Sequence, residues 1–287
     1  TAYRLNGDSP HFSHLAFPLL FLLSGCAQLA PLPEGQFVFG VLGDTPYSET
    51  EVRRLDDLIG RINAHELAFV VHVGDVGTSA RTQGCSDTWL EARKRQFERI
   101  QHPFILLPGD NEWSDCVHHG LDPRERLAVW RRLFCADAAG LALERQPGHC
   151  ENVRWHAGGI AFIGLNVPGG GSPDLGDARM RATYEWLDES LALAEQRGAG
   201  RIVVFMHADP RFERAGDGDA YARLRAVLAT HASWFRNRLV LVHGDTHMYR
   251  DDEPLRGLRR LEPWGSPFVS WLRVTLDAGV LRVAPGR

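Results

Sequence analysis

Apolar residues fall along the chain in short unbroken runs, separated by stretches that repeat with a helical period. The runs are FVFGVLG (37–43), LAFVVHVG (67–74), PFILLPG (103–109), IAFIGLN (160–166), RIVVFMH (201–207) and LVLVHG (239–244). Continuous apolar segments of this length predict strands buried on both faces. Between them, Ser48 and Glu51 form a capping box ahead of Val52, Leu55, Ile59 and Ile62, which share one helical face. Leu127, Trp130 and Phe134 repeat in the same way, as do Met180, Tyr184, Leu187, Leu191 and Ala194. The tail segments SWLRVTLD (270–277) and VLRVAP (280–285) alternate like an antiparallel pair. Strand and helix in alternation predict a layered α/β domain over 36–287, with no internal repeat and no dividing linker.

One earlier run has a different meaning. Leu15 to Leu23, LAFPLLFLL, follows a short segment carrying Arg4. Nine residues rise roughly 14 Å as a helix, about half a bilayer core, so the run has the length of a signal-peptide core and not of a spanning helix. Leu23-Ser24-Gly25-Cys26 then resembles a bacterial lipoprotein lipobox. That resemblance implies cleavage after residue 25, acylation of Cys26 and a tether over 26–35, hence an exported protein anchored by lipid in the bacterial envelope. Ala27, in place of an aspartate, favours the outer membrane.

Composition removes several classes. The chain has 287 residues, 44% hydrophobic and 24% charged, with a net charge of −4. Those values exclude a disordered or collagen-like chain and predict no nucleic-acid-binding surface. Setting Cys26 aside leaves Cys85, Cys116, Cys135 and Cys150, an even set that in an exported protein predicts two disulfides. Three pairings are open, and Cys85–Cys116 with Cys135–Cys150 is favoured. A zinc site is disfavoured because no C-x-x-C pair exists.

Five runs end in residues able to hold a metal ion: Gly43-Asp44-Thr45, Gly74-Asp75-Val76, Gly109-Asp110-Asn111-Glu112, His207 and Gly244-Asp245-Thr246-His247. The carboxyl ends of strands in layered α/β sheets line the ligand crevice, so these side chains are expected to converge. A mixed set of carboxylate, amide and imidazole donors is too large for one ion. It suits two divalent cations acting on a phosphoryl centre. His72 and His243 lie inside apolar runs and read as buried structural residues. The run Gly169-Gly170-Gly171 lacks the Lys-Ser/Thr of a P-loop and reads as loop.

Order and context resemble the calcineurin-like metallophosphoesterase superfamily, whose pattern runs D-x-H, G-D-x-x-D, G-N-H-E/D, a lone H and G-H-x-H. The segments GDTPYS, VVHVGD, PGDNEW and VHGDTH are similar to an exported bacterial subgroup. The resemblance implies a four-layer αββα sandwich of the α/β class. It also implies a metal-dependent phosphoric ester hydrolase with a metal-bridging hydroxide as nucleophile. It assigns Asp75 as the bridging ligand, Asp44 and His247 to the first ion, and Asn111 and His207 to the second, where Asp245 can still offer an oxygen.

Three family histidines are absent: Pro46, Asp245 and Glu112 stand in their places. The carboxylate-rich set favours Mn²⁺, Mg²⁺ or Ca²⁺ over Zn²⁺. Glu112 is expected to act as general acid if burial raises its pKa. Arg154 and His118 are candidates for contact with substrate, and Asn166 faces the same crevice. The expected partner is a small phosphate ester bound by a monomer. The alternatives are a phosphodiesterase or nucleotidase on this fold, or an envelope protein that retains the scaffold for binding alone.

Overall fold

The computed structural model describes residue 1 and residues 36–80, 82–136, 138–169, 177–214, 219–235, 238–277 and 279–286. The signal segment, Cys26, the tether and residues Gly170 and Gly171 lie outside the described residues. Two sheets form the centre. The first has the order β12-β11-β1-β2-β3, built from β1 (Gln36–Leu42), β2 (Val70–His72), β3 (Phe104–Leu106), β11 (Leu272–Asp277) and β12 (Val280–Pro285). Strands β1, β2 and β3 are parallel, and the β11–β12 hairpin adds antiparallel to β1.

The second sheet joins β4 (Glu144–Gln146), β5 (His149–Ala157), β6 (Ile160–Gly164), β7 (Arg201–Phe205), β8 (Leu239–Val242), β9 (Arg250–Leu255) and β10 (Leu258–Glu262). Its order is β4-β5-β6-β7-β8-β10-β9, with β6, β7, β8 and β10 parallel.

Alternation along β1 shows how the layers are assembled. Phe37, Phe39 and Val41 point between the two sheets, where they meet Phe69, Trp155, Phe162 and Phe205. Val38 and Leu42 point the other way, onto α1 (Glu49–Asn63), α2 (Asp87–Phe97) and α3 (Pro123–Phe134). On the far side, Ile202, Val204 and Leu241 pack beneath α4 (Asp177–Gln196) and α5 (Ala222–Phe235). The arrangement is the expected four-layer αββα sandwich.

Ser48 caps α1 by accepting the Glu51 N–H. The Glu51 carboxylate reaches back one residue further than a capping box requires, to the Tyr47 N–H at 2.9 Å. No helix among the described residues is long and apolar enough to cross a membrane.

Two features differ from the sequence reading. Strands β2 and β3 are shorter than their apolar runs: β2 begins three residues into its run, and Val73 and Leu107, just past the two strands, still donate to the Leu42 and His72 carbonyls before the chain turns. The β4–β5 and β9–β10 hairpins have no counterpart in that reading. Their outer strands, ERQ and RDDEPL, are polar edge strands with no apolar periodicity, as sheet edges commonly are. The disulfides join Cys85 to Cys116 and Cys135 to Cys150, the favoured pairing.

Candidate metal centre

The parallel strands of both sheets deliver their carboxyl ends to one place. Asp44 follows β1, Asp75 follows β2, Asp110 follows β3, His207 follows β7, and Asp245 and His247 follow β8. Four of these residues turn sharply through left-handed backbone: Asp44 (φ 52°), Asp75 (φ 61°), Asp245 (φ 77°) and His247 (φ 62°). Among the described residues only Arg211 shares this conformation without being glycine. Such backbone costs non-glycine residues on the order of 1 kcal/mol or more, and its concentration here marks a functional site.

Backbone bonds knit the turns together. Asp44 donates to the Gly74 carbonyl at 3.0 Å and Gly244 to the His207 carbonyl at 2.9 Å. The Asp245 N–H is bonded to Asp44 Oδ1 at 3.0 Å. Gly109 must be glycine, because a Cβ there would run into the Asp75 carboxylate.

Donor atoms of Asp44, Asp75 and His207 all lie within 4.8 Å of one another, and so do those of Asp110, His207 and Asp245. The two groups share His207. Its Nδ1 faces the Val73 carbonyl at 3.0 Å, so Nδ1 carries the hydrogen and Nε2 presents a lone pair. Nε2 lies 2.8 Å from Asp110 Oδ1 and 3.4 Å from Asp75 Oδ1. His247 is held in the same way: Nδ1 donates to the Ser266 carbonyl at 2.9 Å, and Nε2 looks toward Asp44 Oδ1 at 3.5 Å.

Three buried atoms here, Asp44 Oδ2, Asp110 Oδ1 and His207 Nε2, have no directed hydrogen bond among the described residues. Lone pairs that face one another at such distances, out of water, are offset by a proton or by a cation between them. Oriented imidazoles and orphaned carboxylate oxygens therefore fit divalent ions, and the oxygen-rich donor set matches hard cations.

The electrostatics point the same way. Burial raises the pKa of Asp44, of Asp245 and, most strongly, of Asp75. Burial opposes charge on His207 too, but Asp75 and Asp110 outweigh it and hold the imidazole well above its ordinary value. Burial would also raise Asp110; its close approach to His207 prevails and brings it down. The centre is thus an excess of buried carboxylate that positive charge must offset.

Several expected roles change. Asn111 does not meet His207; Asp110 does. The Asn111 side-chain nitrogen faces Gly77 O at 2.9 Å and Asp75 Oδ2 at 2.6 Å. A carbonyl and a carboxylate can only accept, so this atom is the NH₂ group and its role is to orient Asp75.

Glu112 turns its carboxylate onto backbone amides. It is fully buried, with Oε2 accepting from Gly109 N (2.7 Å) and Asp75 N (3.3 Å), and Oε1 from Val76 N. It fastens the turn after β2 to the turn after β3. Burial lifts its pKa to about 7 against those bonds.

Arg154 is likewise engaged within the fold. Its guanidinium lies over the Trp186 ring of α4 and pairs with Glu144. His118 is exposed on the 3₁₀ turn Asp115–His119 and takes part in none of the hydrogen bonds of the centre.

Asn166, two residues past the end of β6, is buried, with both side-chain polar atoms unbonded among the described residues. His72 and His243 are buried, and burial lowers each to about 4.

Sequence reasoning missed Tyr47. Its hydroxyl donates to Asp75 Oδ2 at 2.7 Å, accepts from Asn111 at 3.1 Å and lies 3.3 Å from His247 Nε2. It stands one residue beyond Pro46.

Solved structures with this fold exist. The fold is the metallophosphoesterase sandwich. A dimetal phosphatase from Danio rerio matches 88% of this chain over 99% of its own, with a TM-score of 0.58 and 13% identity. GAP50 of Plasmodium, the anchor in the inner membrane complex, matches 88% over 84% of its own, with a TM-score of 0.57 and 13% identity. The protein TT1561 of Thermus thermophilus matches 88% over 99%, with a TM-score of 0.54 and 12% identity. At these identities the likeness concerns the fold. No protein-family model matches the sequence, and no curated protein does.

Proposed function

We propose that this chain is a metal-dependent hydrolase of phosphate esters, exported and held at a membrane by a lipidated Cys26. The observation that carries the reading is the pair of converging donor groups, Asp44/Asp75/His207 and Asp110/His207/Asp245, with three of their atoms unbonded. Divalent cations held there supply charge to bind phosphoryl oxygens and to lower the pKa of an attacking water. The likeness to a dimetal phosphatase supports the same reading.

The chain's own residues divide the remaining work. Val73 O fixes the ring of His207 and Ser266 O that of His247, each with Nε2 turned inward. Asn111 and Tyr47 hold Asp75, with Oδ2 taking both of their hydrogen bonds. Glu112 binds the backbone of Asp75 and Gly109 and keeps the two turns in register. No serine or cysteine nucleophile is required. Two disulfides and the lipobox-like Leu23-Ser24-Gly25-Cys26 support export to an oxidising compartment.

A panel of aryl monoesters and diesters, assayed with Mn²⁺, Mg²⁺, Ca²⁺ and Zn²⁺, tests the proposal. Turnover that needs the metal and disappears in Asp75→Asn is the expected result. Absence of turnover on every ester, in protein that has bound metal, would favour a second reading, a binding scaffold. Pro46 and Asp245 in place of histidines, and the likeness to the GAP50 anchor, support that second reading.

A further inference from the structure

Large apolar side chains exposed on the described surface are few: Val117, Trp234, Met248, Trp264, Phe268 and Val280. Three of them, Met248 (59% exposed), Trp264 (37%) and Phe268 (58%), belong to the two segments that carry and brace His247. Met248 follows His247 directly. Tyr249, next in the chain, stacks on Trp264 at 5.9 Å between ring centres, and Trp264 meets Phe268 at 5.5 Å.

The loop between those last two rings is built into the metal centre. Ser266 donates its N–H to the Asp44 carbonyl at 2.8 Å and accepts the His247 Nδ1 hydrogen at 2.9 Å. Gly265 lies so close that a Cβ on it would collide with the Asp44 and His247 side chains. His247 is also the open edge of the centre, its side chain 30% exposed while those of Asp44 and His207 are fully buried.

We infer that Trp264 and Phe268, with the partly buried Tyr249 backing Trp264, form a stacking subsite for a flat aromatic ring on the leaving group of the phosphate ester. The inference rests on the phosphoesterase reading and adds the class of substrate to it. A phosphoryl group at the open edge, beside His247, leaves its ester substituent next to the rings. Solvent-exposed aromatic faces in contact with one another gain by covering a further ring, and a flat guest stacks on them where a saturated chain does not. Trp264, Pro267, Phe268 and Arg54 border a recess of about 380 Å³, which leaves room for such a ring.

The test is calorimetric titration of the full chain, with Mn²⁺ present, against three probes. These are 1-naphthylmethylphosphonate, methylphosphonate and 1-naphthol, none of them hydrolysable. The expected result is that the naphthyl phosphonate binds about tenfold or more tightly than methylphosphonate. That ratio should fall toward one in Trp264→Ala/Phe268→Ala and be largely kept in Trp264→Tyr.

Equal affinity for the two phosphonates would overturn the subsite and leave the phosphoesterase reading intact. Binding of 1-naphthol with neither phosphonate bound would support the subsite and overturn the phosphoesterase reading. No binding of any probe would overturn both. A dimer, or adhesion to phosphatidylcholine vesicles, that the double variant abolishes would assign the rings to a second copy or to a bilayer, and would likewise overturn the subsite.

Discussion

His207 Nε2 lies 2.8 Å from Asp110 Oδ1, and neither atom is engaged in a directed hydrogen bond. The other ring nitrogen is committed to the Val73 carbonyl, so this contact sets a lone pair against a carboxylate oxygen. A proton can occupy the gap, and the charges of Asp75 and then Asp110 favour it enough to hold His207 well above its ordinary pKa. A divalent cation does so with more charge and with geometry to spare for Asp245.

Substitutions at that contact should separate ligand from neighbour. Asp110→Ala should weaken Mn²⁺ binding by about a hundredfold or more, since it removes a donor and its charge, where losing an orienting residue costs about 10- to 100-fold. Asn111→Ala should cost about tenfold, the usual toll for losing a residue that orients a ligand. Competition titration with a metal-sensitive dye measures both. The opposite order would restore Asn111 as the ligand.

Tyr47→Phe removes one of the two side-chain donors to Asp75 Oδ2 and leaves Asn111 alone there. A drop of about tenfold in metal affinity is expected, with a stability change of about 1 kcal/mol in metal-free protein. Thermal unfolding with and without Mn²⁺ separates the two effects. An unchanged metal affinity would make Tyr47 a packing residue only.

Acid stability should carry the signature of His72. In the fold its Nε2 faces the Thr45 carbonyl, its Nδ1 accepts from Gly74, and burial holds it near 4 against an ordinary value of 6.5. Between those two values the unfolded chain binds a proton that the folded chain does not. Stability is therefore complete above about pH 6.5 and falls as pH drops toward 4, by up to roughly 3 kcal/mol from this residue. Urea unfolding at pH 7 and pH 5 should show the slope, flattened in His72→Gln. An equal slope in the variant would assign the acid sensitivity elsewhere.

The two disulfides should differ in consequence. Cys85–Cys116 closes 31 residues and Cys135–Cys150 closes 15, which on chain-entropy grounds correspond to about 4 and about 3 kcal/mol. Both sulfurs of the first bridge lie beside the Asn111 carbonyl, at 3.6 and 3.7 Å. Cys85→Ser/Cys116→Ser should therefore lower metal affinity as well as stability. Cys135→Ser/Cys150→Ser should lower stability alone. Equal effects on metal binding would remove the first bridge from the centre.

The six apolar runs were legible because strands buried on both faces leave unbroken hydrophobic sequence. RDDEPL and ERQ were not, since an edge strand owes its pairing to the neighbour and not to its own side chains. Asp44, Asp75, His207 and His247 could be read because each closes a run.

Asp110 was obscured by its neighbour: Gly109-Asp110-Asn111 offers two donors, and one step of register decides which faces inward. Tyr47 left no signal, as its approach depends on the path of the loop after Asp44 and on where Asn111 and Asp75 lie in the folded chain. Arg154 and Glu112 carry the right chemistry but are taken up by Trp186 and Glu144 in one case and by backbone amides in the other.

Everything proposed for this centre depends on the strand-end carboxylates and imidazoles holding divalent cations. Elemental analysis of the protein after equilibration with Mn²⁺ and removal of free metal, beside Asp75→Asn treated identically, decides whether they do. Close to two ions per chain are expected in the native protein and at most one in the variant. Native protein that retains no metal would contradict the two-cation centre.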